Sequence, residues 1–203
     1  MLKVGVTGGI GSGKTLICNV FKALHVPVFD SDTEAKKILV SNSLVKTQLC
    51  NYFGNSIYLP DGNINRPVFA SIIFSHKNEL EKANSIIHPV VREYFNEWIQ
   101  ARKAEGAIYV IQEAAILFES GAYKNLDKII TITANEATRI QRIIARDRCT
   151  LEKANERIRN QMNDSEKINR SNYVIVNNMD SIVLEQILSL HNSFLSISKS
   201  SND

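Results

Sequence analysis

Eight residues near the N-terminus, Gly8-Gly9-Ile10-Gly11-Ser12-Gly13-Lys14-Thr15, satisfy the spacing G-x-x-x-x-G-K-[ST]. Glycines let a backbone turn tightly enough for successive N–H groups to point at phosphate oxygens, and a helix starting at Lys14 adds the partial positive charge of its N-terminus. Lys14 is then the group that reaches the outer phosphates of a nucleoside triphosphate, and the Thr15 hydroxyl is a ligand for Mg²⁺. Kinases, GTPases, motors and switches share such a loop, so it implies nucleotide binding and leaves the reaction open.

Three further groups could act on a bound phosphate. Asp30-Ser31-Asp32 follows the apolar run Val26–Phe29, and in a parallel sheet that begins with a phosphate loop the C-terminal strand ends converge on the ligand crevice. A carboxylate there orients an acceptor hydroxyl, takes its proton, or holds Mg²⁺ through water; the competing role is capping of the next helix. Arg139, Arg142 and Arg146 are spaced by three and four, a basic stripe on a helix that either grips phosphates or forms a solvated face paired with Glu136 or Asp147. His88-Pro89 marks the start of a helix with proline in its first turn. His88, Arg66 and Glu119, read singly, are more often surface or capping residues than ligands.

Placing these groups requires an α/β frame. Lys3–Thr7, Val26–Phe29, Ala107–Ile111, Lys128–Thr133 and Tyr173–Val176 read as strands, and helical segments such as Lys14–Leu24 and Glu136–Arg148 separate them. The alternation predicts a five-stranded parallel sheet flanked by helices. Asp30 through Gly106 far exceeds the dozen or so residues that a crossover needs, which predicts an inserted helical lobe. Its expected helices are Ser31–Val40, Ser43–Phe53, Arg66–Phe74 and Pro89–Ala104, with a turn at Pro60-Asp61-Gly62. Residues 1–30, 105–135 and 171–203 then form the core, 31–104 the lobe and 136–170 a cationic helical lid. The tail Ser196–Asp203 reads as frayed.

Composition excludes several classes. Of 203 residues 44% are apolar and 22% charged, as in ordinary folded proteins, and the net charge of +3 is too small to imply a nucleic-acid footprint. Cys18, Cys50 and Cys149 show no C-x-x-C pairing, which argues against a disulfide framework or a zinc site. No apolar stretch approaches a membrane span, and Gly8 and Gly9 interrupt any secretory segment. A cytoplasmic protein, monomeric or weakly homo-oligomeric, is expected. The GTPase elements N-K-x-D and D-x-x-G are missing from the sequence, which favours a small-molecule kinase over a switch.

Taken in order, T-G-G-I-G-S-G-K-T, D-S-D, His88-Pro89, Ile116-Leu117-Phe118-Glu119, Arg142-x-x-x-Arg146-Asp147, Gln161 and Asn177-Asn178 resemble the dephospho-CoA kinase family over essentially the whole chain. The resemblance implies a P-loop core, a helical CoA-binding lobe and a small lid, and transfer of the ATP γ-phosphoryl group to the ribose 3′-hydroxyl of dephospho-CoA with Mg²⁺. It implies Asp32, Lys14 and Arg146 as catalytic residues. Gly9 through Leu16, Arg142 and Asn177 would bind ATP, Asn177 near the adenine. Asp30, Asp32, Arg66, His88, Glu119 and Gln161 would bind substrate, and Thr15 the metal. The chain departs from the family at Ala115, where proline is usual, at Arg148, where a small residue is usual, and at Thr15, which keeps the hydroxyl of the commoner serine.

Overall fold

The computed structural model describes residues 1–73 and 75–200, with side chains up to Ile197. In chain order its elements are β1 (Leu2–Gly8), α1 (Lys14–Ala23), β2 (Val28–Asp30), α2 (Ser31–Ser41), α3 (Ser43–Phe53), α4 (Arg66–Ile73) and α5 (Lys77–Ala104). There follow β3 (Tyr109–Glu113), β4 (Lys128–Thr133), α6 (Glu136–Asp147), α7 (Leu151–Arg159), α8 (Asp164–Asn169), β5 (Tyr173–Val176) and α9 (Val183–Ser200). The chain forms two compact units, one running from Met1 to Asp30 and resuming at Ile99, the other comprising Ser31–Trp98.

The first unit is built on a five-stranded, all-parallel sheet of order β2-β3-β1-β4-β5. Its central strands are apolar because helices cover them: Val4, Val6, Ile111, Ile130 and Ile132 are fully buried. α1 contributes Ile17, Cys18 and Phe21 to this core and α9 contributes Ile187 and Phe194. Each such large side chain stabilises the unit by roughly 1.5–3 kcal/mol relative to exposure. A smaller cluster joins Ala114, Leu117, Phe118 and Ile129. In register, Val6 lies beside Glu113, and Glu113 beside Asp30, so the C-terminal ends of β1, β3 and β2 come level.

Two strands lie further along the chain than the sequence predicts. Val26 donates its N–H to Phe21 O at 3.0 Å, which keeps it in the turn after α1, and β2 starts only at Val28. Ala107 donates to Arg102 O at 3.0 Å and closes α5, so β3 starts at Tyr109 and carries Gln112 and Glu113 to the sheet's end. The tail is also more regular than expected, because α9 continues to Ser200; Phe74 and residues 201–203 of those expectations lie outside the described residues.

In the second unit Asn42 caps α3 by accepting the Val45 N–H at 3.0 Å, and Tyr58 donates its hydroxyl to Leu39 O at 2.8 Å. Ile38, Val45, Leu49 and Ile57 are fully buried, and the Phe53 and Phe69 rings meet edge to face. α5 corrects the expectation of a helix beginning at Pro89: it begins at Lys77 and holds Pro89 in its interior. Ala83, Ile86, Ile87, Val91 and Phe95 are buried at helical spacing on both sides of the proline. Packing of that stripe offsets the backbone hydrogen bond that proline cannot make.

Candidate active site

β1 ends at Gly8 and α1 begins at Lys14, so the glycine loop joins the sheet directly to a helix N-terminus. Ser12 closes a turn by donating to Gly9 O at 3.0 Å. Gly13, the residue capping α1, has φ +91° and provides no side-chain cap. A side chain there would be strained and would collide with the Asn177 amide.

The loop carbonyls are taken from outside. Arg139 Nε donates to Ile10 O at 2.9 Å, Arg142 Nη1 donates to Gly11 O and Ser12 O at 3.3 and 3.4 Å, and Asn177 Nδ2 donates to Ser12 O at 2.7 Å. Because C=O and N–H of one trans peptide point in opposite directions, these bonds turn the N–H groups of Gly11 and Gly13 to the other side of the loop. That side is a candidate anion cradle, held in shape by the loop's own hydrogen bonds. Gln161 Oε1 accepts the Ile10 N–H at 2.7 Å and secures the loop's first half.

Beside the cradle, Lys14 Nζ lies 3.7 Å from Glu113 Oε1, and Thr15 donates its hydroxyl to the same oxygen at 3.3 Å. The Glu113 side chain is 6% exposed. Burial, and then the Glu113 carboxylate, push the Cys18 thiol far above its ordinary range, so it stays protonated and donates to that carboxylate.

The predicted basic stripe divides into three. Arg139 is buried, bonded to the loop and paired with Asp164; Arg142 is half-buried on the loop carbonyls; Arg146 is exposed and grips Asp147 through Nε and Nη2 at 2.8 and 2.9 Å. Arg157 donates to the same Asp147 carboxylate. The arginine bonds raise the hold of Arg146 on its proton and lower that of Asp147.

Of the remaining predicted residues, Gln161, Arg142 and Asn177 join Gly9 through Thr15 at the loop, whereas Leu16 is 58% exposed on α1. Glu119 pairs with Lys167 at 3.8 Å. Asp30 ends β2, and Asp32 follows it in the first turn of α2. Asp32, Arg66 at the start of α4, and His88 within α5 belong to the unit Ser31–Trp98. Burial, and then Arg92, hold the His88 imidazole below its ordinary range. Sequence reasoning missed Glu113, Asp164 and Lys167. The legible signals were a carboxylate ending an apolar run and an Asp–Lys pair three residues apart.

A parallel sheet of this order, with a glycine loop running from β1 into a helix and a lysine and threonine at the helix start, defines a P-loop nucleotide-binding α/β protein. The sequence model of the dephospho-CoA kinase family matches residues 2–182. A dephospho-CoA kinase from Bacteroides fragilis is 35% identical over 189 residues, 93% of this chain and 91% of that protein. A solved Thermus thermophilus protein superposes with a TM-score of 0.80 at 27% identity over 96% of both chains. The dephospho-CoA kinase from Campylobacter jejuni superposes at 0.69 with 27% identity over 98% of both. The chain belongs to the dephospho-CoA kinase family and is accordingly a kinase, a transferase of coenzyme A synthesis.

Proposed function

We propose that this chain transfers the ATP γ-phosphoryl group in line to the ribose 3′-hydroxyl of dephospho-CoA, releasing CoA and ADP, with the residue roles that follow. The observation carrying the reading is the cradle itself: loop carbonyls tied back by Arg139, Arg142 and Asn177, with Lys14 and Thr15 at the helix start. Its N–H groups and Lys14 bind the phosphates and stabilise charge as the phosphoryl group leaves. Thr15 Oγ1 and Glu113 Oε1, 3.3 Å apart, are hard oxygen donors that suit Mg²⁺. When bound with ATP, Mg²⁺ neutralises phosphate charge and orients the transferring group. Among the described residues no cluster of three His, Cys, Asp or Glu side chains forms a dedicated metal site, which suits a metal carried largely by the nucleotide.

Asp32 orients the acceptor hydroxyl and takes its proton late, since a carboxylate is a weak base toward a sugar alcohol. Asp30, Arg66, His88, Glu119 and Gln161 complete the substrate side. Arg146 exchanges Asp147 for the transferring phosphoryl group, and Asn177 lies toward the adenine. No helix among the described residues is long and apolar enough to cross a membrane. The proposed enzyme is cytoplasmic, monomeric or weakly homo-oligomeric, and acts without nucleic acid.

The test incubates the protein with ATP, Mg²⁺ and dephospho-CoA and follows CoA by mass-resolved chromatography, with nucleoside monophosphates as competing acceptors. CoA forms with wild type and is lost with Lys14→Ala. Asp32→Ala lowers kcat by about a hundredfold or more, the range of general acid–base and positioning contributions, and leaves the KM for ATP nearly unchanged. Phosphorylation of a nucleoside monophosphate in place of dephospho-CoA would overturn the acceptor assignment.

A further inference from the structure

Both backbone groups of Ile10 are held by the segment 136–170. Gln161 Oε1 accepts its N–H at 2.7 Å, and Arg139 Nε donates to its carbonyl at 2.9 Å. Arg139 in turn pairs with Asp164, which opens α8, while Gln161 lies in the short connection from α7 and returns its own N–H to Ile158 O at 3.2 Å. These contacts close a circuit that leaves the connection at Gln161, crosses Ile10 and comes back through Arg139 to Asp164. The circuit has no slack: a Cβ added to Gly9 would lie 2.7 Å from Arg139 Cζ and 2.8 Å from Asp164 Oδ1.

The Ile10 N–H shares a trans peptide with the Gly9 carbonyl, so the two point in opposite directions. With the N–H on Gln161, the carbonyl faces back into the loop and accepts the Ser12 N–H at 3.0 Å, which closes the loop's first turn. Four of the six residues from Gly8 to Gly13 are glycine, the residue that loses most conformational freedom on ordering. A loop of this composition is costly to order around a phosphate unless the rest of the chain holds it. We propose that Gln161 is a positioning residue for nucleotide binding: its amide oxygen, by holding the Ile10 N–H, fixes the Gly9–Ile10 peptide and with it the first turn of the phosphate loop. This role is separate from the acceptor contact proposed above, because the oxygen is taken by the loop and only the Nε2 hydrogens remain for an acceptor. The inference rests on the nucleotide-binding reading of the cradle.

The experiment measures binding of a non-hydrolysable ATP analogue with Mg²⁺ by calorimetry, both KM values and kcat, the thermal midpoint, and amide exchange of the free protein by NMR. Gln161→Met, which removes the accepting oxygen at similar size, is expected to bind the analogue about three- to tenfold more weakly, the scale of one hydrogen bond. Its KM for ATP rises by the same factor, and kcat at saturation falls by less. In the free variant the Ile10 and Ser12 amides exchange faster than in wild type, while those of Val4 and Val6 in β1 keep their protection. Gln161→Glu retains an oxygen at the same reach and keeps the Ile10 amide protected.

Wild-type analogue affinity in Gln161→Met would overturn the proposal. A rise confined to the KM for dephospho-CoA would then leave Gln161 as an acceptor ligand alone, and a lowered thermal midpoint would leave it as a merely structural contact. Faster exchange at Ile10 in Gln161→Glu as well would overturn the part assigned to the oxygen. Where the methionine variant does not fold, Gln161→Ala, which adds no atoms, decides by the same readings. Analogue binding needs no acceptor, so a wild type that binds it but forms no CoA counts against the kinase reading and not against this inference; a wild type that binds no nucleotide overturns both.

Discussion

Arg146 shows how far a residue's neighbours decide its role. It lies on the same helix as two arginines that brace the phosphate loop, yet its guanidinium is turned to the adjacent Asp147. Exposed pairs of this kind contribute at most about 1 kcal/mol, so a phosphoryl group carrying more charge can displace Asp147 at little cost. Arg146→Ala is therefore expected to lower kcat by roughly ten- to a thousandfold, the range seen when one transition-state charge stabiliser is lost, with the KM for ATP nearly unchanged. Steady-state kinetics decide the matter, and normal turnover in the variant would return Arg146 to a solvated face. The loop motif was legible because its glycines, Lys14 and Thr15 lie in one short run. Asp164 and Lys167 left only an Asp–Lys pair three residues apart, which reads as solvated unless distant partners, here Arg139 and Asp164 at 25 residues' separation, are known to meet.

At the scale of elements, the parallel sheet and the placement of the loop followed from apolar runs alternating with helices. β1, β4 and β5 lie close to where their β-branched residues predict. β2 and β3 shifted because the hydrogen bonds that close the preceding helices consume Val26 and Ala107, and composition does not reveal such closures. The shift has a functional result: it puts Glu113 at the end of β3, beside Lys14 and Thr15. α5 went wrong for another reason, since proline is ordinarily a helix-start signal and here tertiary packing overrides it. An interior proline costs a helix about 3 kcal/mol relative to alanine. Pro89→Ala is thus expected to stabilise the unit Ser31–Trp98 by about 1–3 kcal/mol, read as a rise in its thermal midpoint. A fall would show that α5 needs the local geometry that proline imposes.

For the whole molecule, the division into two compact units makes ligand and proton act on different parts of one chain. The phosphate cradle belongs wholly to the sheet unit, and a ligand that binds only the folded form stabilises it by about 2.7 kcal/mol at a hundred times its dissociation constant. His88 belongs to the other unit. Burial and Arg92 depress its imidazole below the ordinary value of 6.5, so on acidification the unfolded chain takes up the proton first. Its contribution is therefore fully present above pH 6.5 and lost as the pH falls through the depressed native value. Two units, each with its own buried cluster, are expected to depart from a single two-state transition. Calorimetry should then show a saturating ATP analogue with Mg²⁺ raising the melting of the sheet unit alone. Moving from about pH 7.5 to about pH 5.5 should lower chiefly the melting of the helical unit, in a manner that His88→Gln weakens. One transition responding to both treatments would mean that the units unfold together, in which case binding energy gained at the phosphate loop also stabilises the helices that carry Asp32, Arg66 and His88.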